Sequence, residues 1–98
     1  SRLVCINIES GEIYWIRQLE KHRKGKKVKD LNMWLGPYLI NNLLYNLSYF
    51  GELVIVSHVT GEVLATENLG IKGITSPPII LNDKVFIADE KSNVFRLK

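Results

Sequence analysis

Ninety-eight residues, 46% hydrophobic and 23% charged, allow one small domain or part of a larger one and exclude an intrinsically disordered chain. A single cysteine, Cys5, rules out an internal disulfide framework, and with only two histidines beside it a His/Cys metal cage is excluded too. The formal charge of +3 is unevenly placed: six of the 13 Lys and Arg residues lie between Lys21 and Lys29, and the remaining seven face ten acidic residues, a balance of −3.

The chain opens at Ser1 and its only methionine is Met33, the expectation for a processed product or a piece of a longer protein. The first stretch, SRLVCINIESGE, is broken by Asn7 and Glu9 too early for a signal peptide. Leu3 to Ile8 reads as a strand with apolar residues on both faces, and Glu12 to Ile16 as its partner across a Ser10-Gly11 turn. Residues 21–35 follow as a basic loop, KHRKGKKVK at its heart. Clustered lysines attract anions electrostatically, which makes Lys21, Arg23, Lys24, Lys26 and Lys27 the candidate contacts for an anionic partner. Nucleic acid would add interleaved aromatics for base stacking, and the run has none; a solvated connection is the expectation.

From Pro37 the pattern changes to short apolar runs parted by turn residues. Tyr38 to Ile40, Leu43 to Tyr49, Leu53 to Val59 and Glu62 to Thr66 read as four strands, with Asn41-Asn42 and Thr60-Gly61 as turns. Leucines at helical spacing make a helix over Tyr38 to Phe50 the competing reading, weakened by the Asn-Asn pair inside it. The most apolar window, Leu39 to Val56, holds three asparagines, Ser48, Gly51 and Glu52, so no transmembrane helix is expected where about 20 largely apolar residues are needed. Beyond the connection NLGIKGITSP, whose two glycines are too sparse for a phosphate loop, come Ile79 to Leu81, Lys84 to Ala88 and Val94 to Leu97 as three more strands.

These runs repeat. Residues 3–19 lie over 53–69 with five identities, Leu3/Leu53, Val4/Val54, Gly11/Gly61, Glu12/Glu62 and Leu19/Leu69. At an offset of 41, PYLINNLLYN from Pro37 lies over PIILNDKVFI from Pro78. Tandem four-stranded units near 40 residues mark a β-propeller, whose blades pack side by side in a ring. The expected fold is therefore all-β: two strands of one blade in 1–20, a complete blade in 36–72, and three strands of the next in 73–98. About two blades and a quarter cannot close a ring, so self-association is expected.

The segment CINIESGEIYW resembles the repeat of the pyrroloquinoline-quinone-type propellers, A-x-D-x-x-x-G-x-x-x-W, with Cys5, Asn7, Gly11 and Trp15 at the four fixed positions. IVSHVTGEVLA keeps Gly61 but has Ile55, Ser57 and Ala65 at the others, and the third copy reaches Arg96 and Lys98 before its glycine position. The resemblance implies that Trp15 docks one blade on the next through a large ring with a polar N–H. Gly11 and Gly61 are then docking turns, and Trp34, placed just ahead of a first strand, is a further packing residue. It does not bring a cofactor with it. Quinoprotein dehydrogenases of this class are expected to show a vicinal cysteine pair and calcium ligands, whereas this chain has one cysteine, and Glu9, Asp83 and Asp89 fall at turns.

In size and degeneracy the chain is more similar to the outer-membrane β-barrel-assembly lipoproteins of Gram-negative bacteria, cofactor-less scaffolds of the periplasm. The implied role is non-catalytic: protein partners, among them a membrane-protein assembly machinery, recognised through loops or open strand edges. A dehydrogenase fragment and an extracytoplasmic sensor are the alternatives. Ser57 and His58, adjacent on a strand, would point to opposite faces and so cannot act as nucleophile and base. Cys5 reads as a small buried hydrophobe.

Overall fold

The computed structural model describes residues 2–19 and 33–97, and within them every regular element is a β-strand. In chain order these are β1 (Arg2–Ile6), β2 (Ile13–Gln18), β3 (Trp34–Ile40), β4 (Leu43–Ser48), β5 (Glu52–Ser57), β6 (Val63–Asn68), β7 (Ile79–Leu81), β8 (Lys84–Ala88) and β9 (Val94–Arg96). They form three antiparallel sheets, β1-β2, β3-β4-β5-β6 and β7-β8-β9, each a simple up-and-down meander. The helix that Tyr38 to Phe50 could have formed is absent. Asn41 and Asn42 sit at φ 49° and 65°, the left-handed pair that a tight hairpin demands and that Asn tolerates best after Gly.

The two repeat offsets are conformational as well as chemical. Asn82 and Asp83, 41 residues beyond Asn41 and Asn42, take φ values of 48° and 64°. Gly11 and Gly61, 50 apart, take 75° and 77°. Their turns share hydrogen bonds one for one. Asn7 N–H donates to Glu12 O at 2.8 Å and Ser57 N–H to Glu62 O at 2.9 Å, while the glycine N–H groups return to Asn7 O and Ser57 O at 2.8 and 2.9 Å.

Strand ends differ from the sequence reading at these turns. β1 stops at Ile6 and β5 at Ser57, not at Ile8 and Val59. The cause is local: Asn7 Oδ1 accepts from the N–H groups of Glu9 and Ser10, and Ser57 Oγ from those of Val59 and Thr60, which pulls both segments out of the ladder. β3 also begins earlier than expected. Trp34 and Leu35, assigned from sequence to the basic loop, pair with Ser48 and Leu47, after which the register shifts and resumes at Tyr38. Gly36 and Pro37 make that bulge, and Pro is tolerated because β3 is an edge strand whose missing N–H costs no ladder bond.

The sheets are covered by one another. One face of the central sheet contributes Tyr45, Leu47, Leu53 and Ile55, which meet Val85 and Ile87 of the third sheet with Ile74 wedged between, all 9% exposed or less. Ile74, on the connection from β6 to β7, bridges to Asp89 and donates its N–H to Tyr49 O. Burying several such side chains at roughly 1.5–3 kcal/mol each makes this seam the main source of stability among the described residues. Tyr49 Oη also donates to Glu90 Oε1 at 2.8 Å, joining the β4–β5 turn to the β8–β9 turn.

Candidate interaction surface

On its other side the central sheet meets the first sheet, and the hydrogen bonds between them converge on the turn after β5. Trp15 and Arg17 are two apart on β2 and therefore share a face. Both reach the Ser57–Glu62 turn. The indole of Trp15 lies on Gly61 so closely that a Cβ there would come within 2.5 Å of two ring atoms. Its Nε1–H donates to His58 O at 3.1 Å, and Arg17 Nε–H donates to Gly61 O at 2.6 Å. Only a residue without a side chain and at ease at φ 77° serves here, which is the physical reason for glycine. The accepting carbonyl is held in turn by its own ring. His58 Nδ1 lies 2.9 Å from Asn42 O, and since a carbonyl only accepts, this nitrogen carries the proton.

The structure thus brings together two of the residues singled out in the sequence, Trp15 and Gly61. Trp34 is the first residue of β3 and half-buried, not ahead of the strand. With Gln18, Leu19, Glu52, Val54, Val63 and Thr66 it lines a groove of about 270 Å³ between the first and central sheets. Gly11 stands apart: it is exposed, and among the described residues nothing lies within 4 Å of where its Cβ would be. The fifty-residue counterpart of Trp15 is Ala65, exposed on β6. Lys21, Arg23, Lys24, Lys26 and Lys27 lie outside the described residues.

Arg17 was missed from sequence, although its spacing of two from Trp15 was the available signal. Ile74 was missed as well, for it reads as one apolar residue in a glycine-rich connection. Ser57 and His58 belong to a turn whose carbonyl docks the indole. Asp89, like Ser57, organises backbone: its Oδ1 accepts from the N–H groups of Lys91 and Asn93, and its Oδ2 from Asn93 Nδ2. The Asn93 side-chain amide, more than any other neighbour, holds the Asp89 carboxyl below the usual carboxylate range, with the Asn93 backbone N–H next. Donation to Glu90 raises the Tyr49 phenol above its ordinary value, helped by partial desolvation and by the Glu90 charge. Among the described residues no group of three or more His, Cys, Asp or Glu is placed to hold a metal ion.

Two kinds of open surface remain. The outward face of the first sheet shows Val4, Ile6, Tyr14 and Ile16, between 45% and 61% exposed, and that of the third shows Ile79, Leu81 and Val94, between 55% and 65%. By the repeat offset Val54 and Val56 of the central sheet correspond to Val4 and Ile6; Val54 is half-buried and Val56 fully buried against its neighbours. The second surface is an edge. Leu97 N–H donates to Val85 O and Asp89 N–H to Asn93 O, so by alternation along β9 the N–H and C=O groups of Val94 and Arg96 point away from β8. No described strand pairs with that side, whereas the corresponding edge of β5 is filled by β6.

No family model and no curated protein matches this chain.

Proposed function

We propose that the chain is a non-catalytic, protein-binding segment of a β-propeller of the pyrroloquinoline-quinone-type repeat, working as a scaffold in outer-membrane protein assembly in the periplasm. The observation that supports this reading is the succession of three antiparallel sheets, with the Trp15 indole of one docked on the Gly61 turn of the next. Strand addition at a sheet edge takes affinity from main-chain hydrogen bonds and selectivity from alternate side chains. Segments with alternating apolar and polar residues, as in membrane-barrel strands awaiting assembly, suit it on both counts.

The propeller reading draws on three side-by-side meanders, on turns that recur in conformation at both offsets, and on the indole of one sheet docked at the glycine of the next. Self-association follows from the same picture, since copies would cover one another's apolar outer faces.

The test is amide hydrogen exchange with a ten-residue peptide of alternating apolar and polar residues taken from a membrane-barrel strand. Saturable binding with slowed exchange along a strand edge is expected. Unchanged exchange at every amide overturns the reading.

A further inference from the structure

We propose that the outer edge of β6 docks an extended basic segment, which joins the four-stranded central sheet as a further strand. The inference rests on the strand-addition reading and names the edge and the charge of what binds there.

Main-chain geometry places the free groups. Leu69 N–H donates inward to Gly51 O, so by alternation Glu67 and Ala65 also bond to β5, and the N–H and C=O groups of Thr66 and Asn68 point outward. No described strand pairs with that side of β6, and all of its side chains are exposed. Leu64 is skipped in the register with β5, and Asn68 Oδ1 accepts from Gly70 N–H, so the regular edge runs from Ala65 to Asn68. The far edge of the same sheet is blunted: β3 is interrupted by the bulge at Gly36 and Pro37, and proline has no N–H to offer.

Charge selects the partner. Residues 34–71 contain no Lys or Arg and three glutamates, Glu52, Glu62 and Glu67, all on β5, β6 or the turn between them. The fifty-residue counterpart of Glu67 is Arg17, so the equivalent outer edge, on β2, carries the opposite sign. Glu52, Glu67 and the Phe50 ring line a groove of about 370 Å³ beside Thr66 and Asn68. Lys72 Nζ already lies 5.9 Å from the centre of that ring, which shows that this end of the edge accepts an ammonium group.

The edge also sets the pattern of the ligand. Residues opposite Thr66 and Asn68 make the main-chain bonds. Those opposite Glu67 and Ala65 share a face, where a cationic side chain pairs with the carboxylate and its neighbour has room over a methyl group. The ligand is therefore an extended segment with a basic residue at every second position.

The probe is a blocked eight-residue peptide of alternating lysine and valine, titrated into the full, isotope-labelled protein and followed by amide hydrogen exchange. Saturable binding is expected, with slowed exchange at Thr66 and Asn68 and a loss of affinity in salt. N-methylation of the valines, which removes the N–H groups facing β6, should weaken binding at least tenfold, whereas N-methylation of the lysines should not. Glu67→Gln in the protein should weaken it about threefold. Thr66→Pro should abolish it, since it deletes an outward N–H that the central sheet does not use; if that protein fails to fold, Glu67→Gln and the peptide variants carry the test. Unchanged exchange at Thr66 and Asn68 overturns the proposal, even where a barrel-strand peptide slows exchange at another edge and the strand-addition reading survives. So does equal affinity for the N-methylvaline peptide or for KHRKGKKVK, whose charges are clustered and not alternate, for either would mean bare charge attraction.

Discussion

Gly61→Ala, set against Gly11→Ala, separates backbone strain from the docking of one sheet on another. The two glycines have the same conformation, φ 77° and 75°, so replacing either forces an L residue into the left-handed region at a cost of about 1–2 kcal/mol. At Gly11 that is the whole cost, because nothing described lies within 4 Å of the new methyl. At Gly61 the methyl would sit 2.5 Å from Cδ2 and Cε3 of Trp15, so the ring must move. The Nε1–H bond to His58 O goes with it, worth about 1 kcal/mol, along with part of the ring's packing and the Arg17 contact to Gly61 O. The expected loss is then about 3 kcal/mol or more, a sizeable part of a small domain's stability. Urea unfolding followed by circular dichroism reads both variants, and in a Trp15→Ala background the cost at Gly61 should fall to that at Gly11. Equal costs at the two glycines in the wild-type background would refute the reasoning, for the indole would then have no hold on the turn.

Three further outcomes are expected. Ile74→Ala, at a side chain 1% exposed between two sheets, should cost about 2–5 kcal/mol in the same unfolding assay. The β8–β9 turn should loosen in acid: the Asp89 carboxyl titrates lower folded than unfolded, so its contribution is whole above the ordinary carboxylate value and is lost as pH falls through the depressed one. The Lys91 and Asn93 amide shifts should follow that titration, and Asp89→Asn should flatten it. Sedimentation should show association that strengthens with concentration and weakens in Ile16→Glu, which charges the outward face of the first sheet; a monomer at every concentration would count against that face as a contact surface.

Much of the architecture was legible because it rests on local chemistry. The Asn-Asn and Asn-Asp pairs announced hairpins, and β7 and β8 have the bounds that Pro, Asn and the apolar run between them implied. Other features were hidden for definite reasons. The ends of β1 and β5 depend on whether Asn7 and Ser57 turn their side chains back to the following amides, a choice that composition does not reveal. The bulge at Gly36 and Pro37 let β3 reach back to Trp34, where the proline had suggested a start. Ile74 and the Tyr49–Glu90 bond join segments that meet only when two sheets stack. At the candidate surface, Gly61 and Trp15 stood out by their place in the repeat. That Gly11 would be open while Gly61 is filled could be seen only once the sheets were in place.

The stacking of sheet on sheet is tested most directly by proton NMR at Gly61. An indole seated on its Cα predicts strong cross-peaks between the Trp15 ring protons and the Gly61 α-protons, with those α-protons shifted upfield by the ring current and returned to ordinary values by Trp15→Ala. Gly61 α-protons at ordinary shifts in the wild-type chain, with no cross-peak to either tryptophan, would contradict the account.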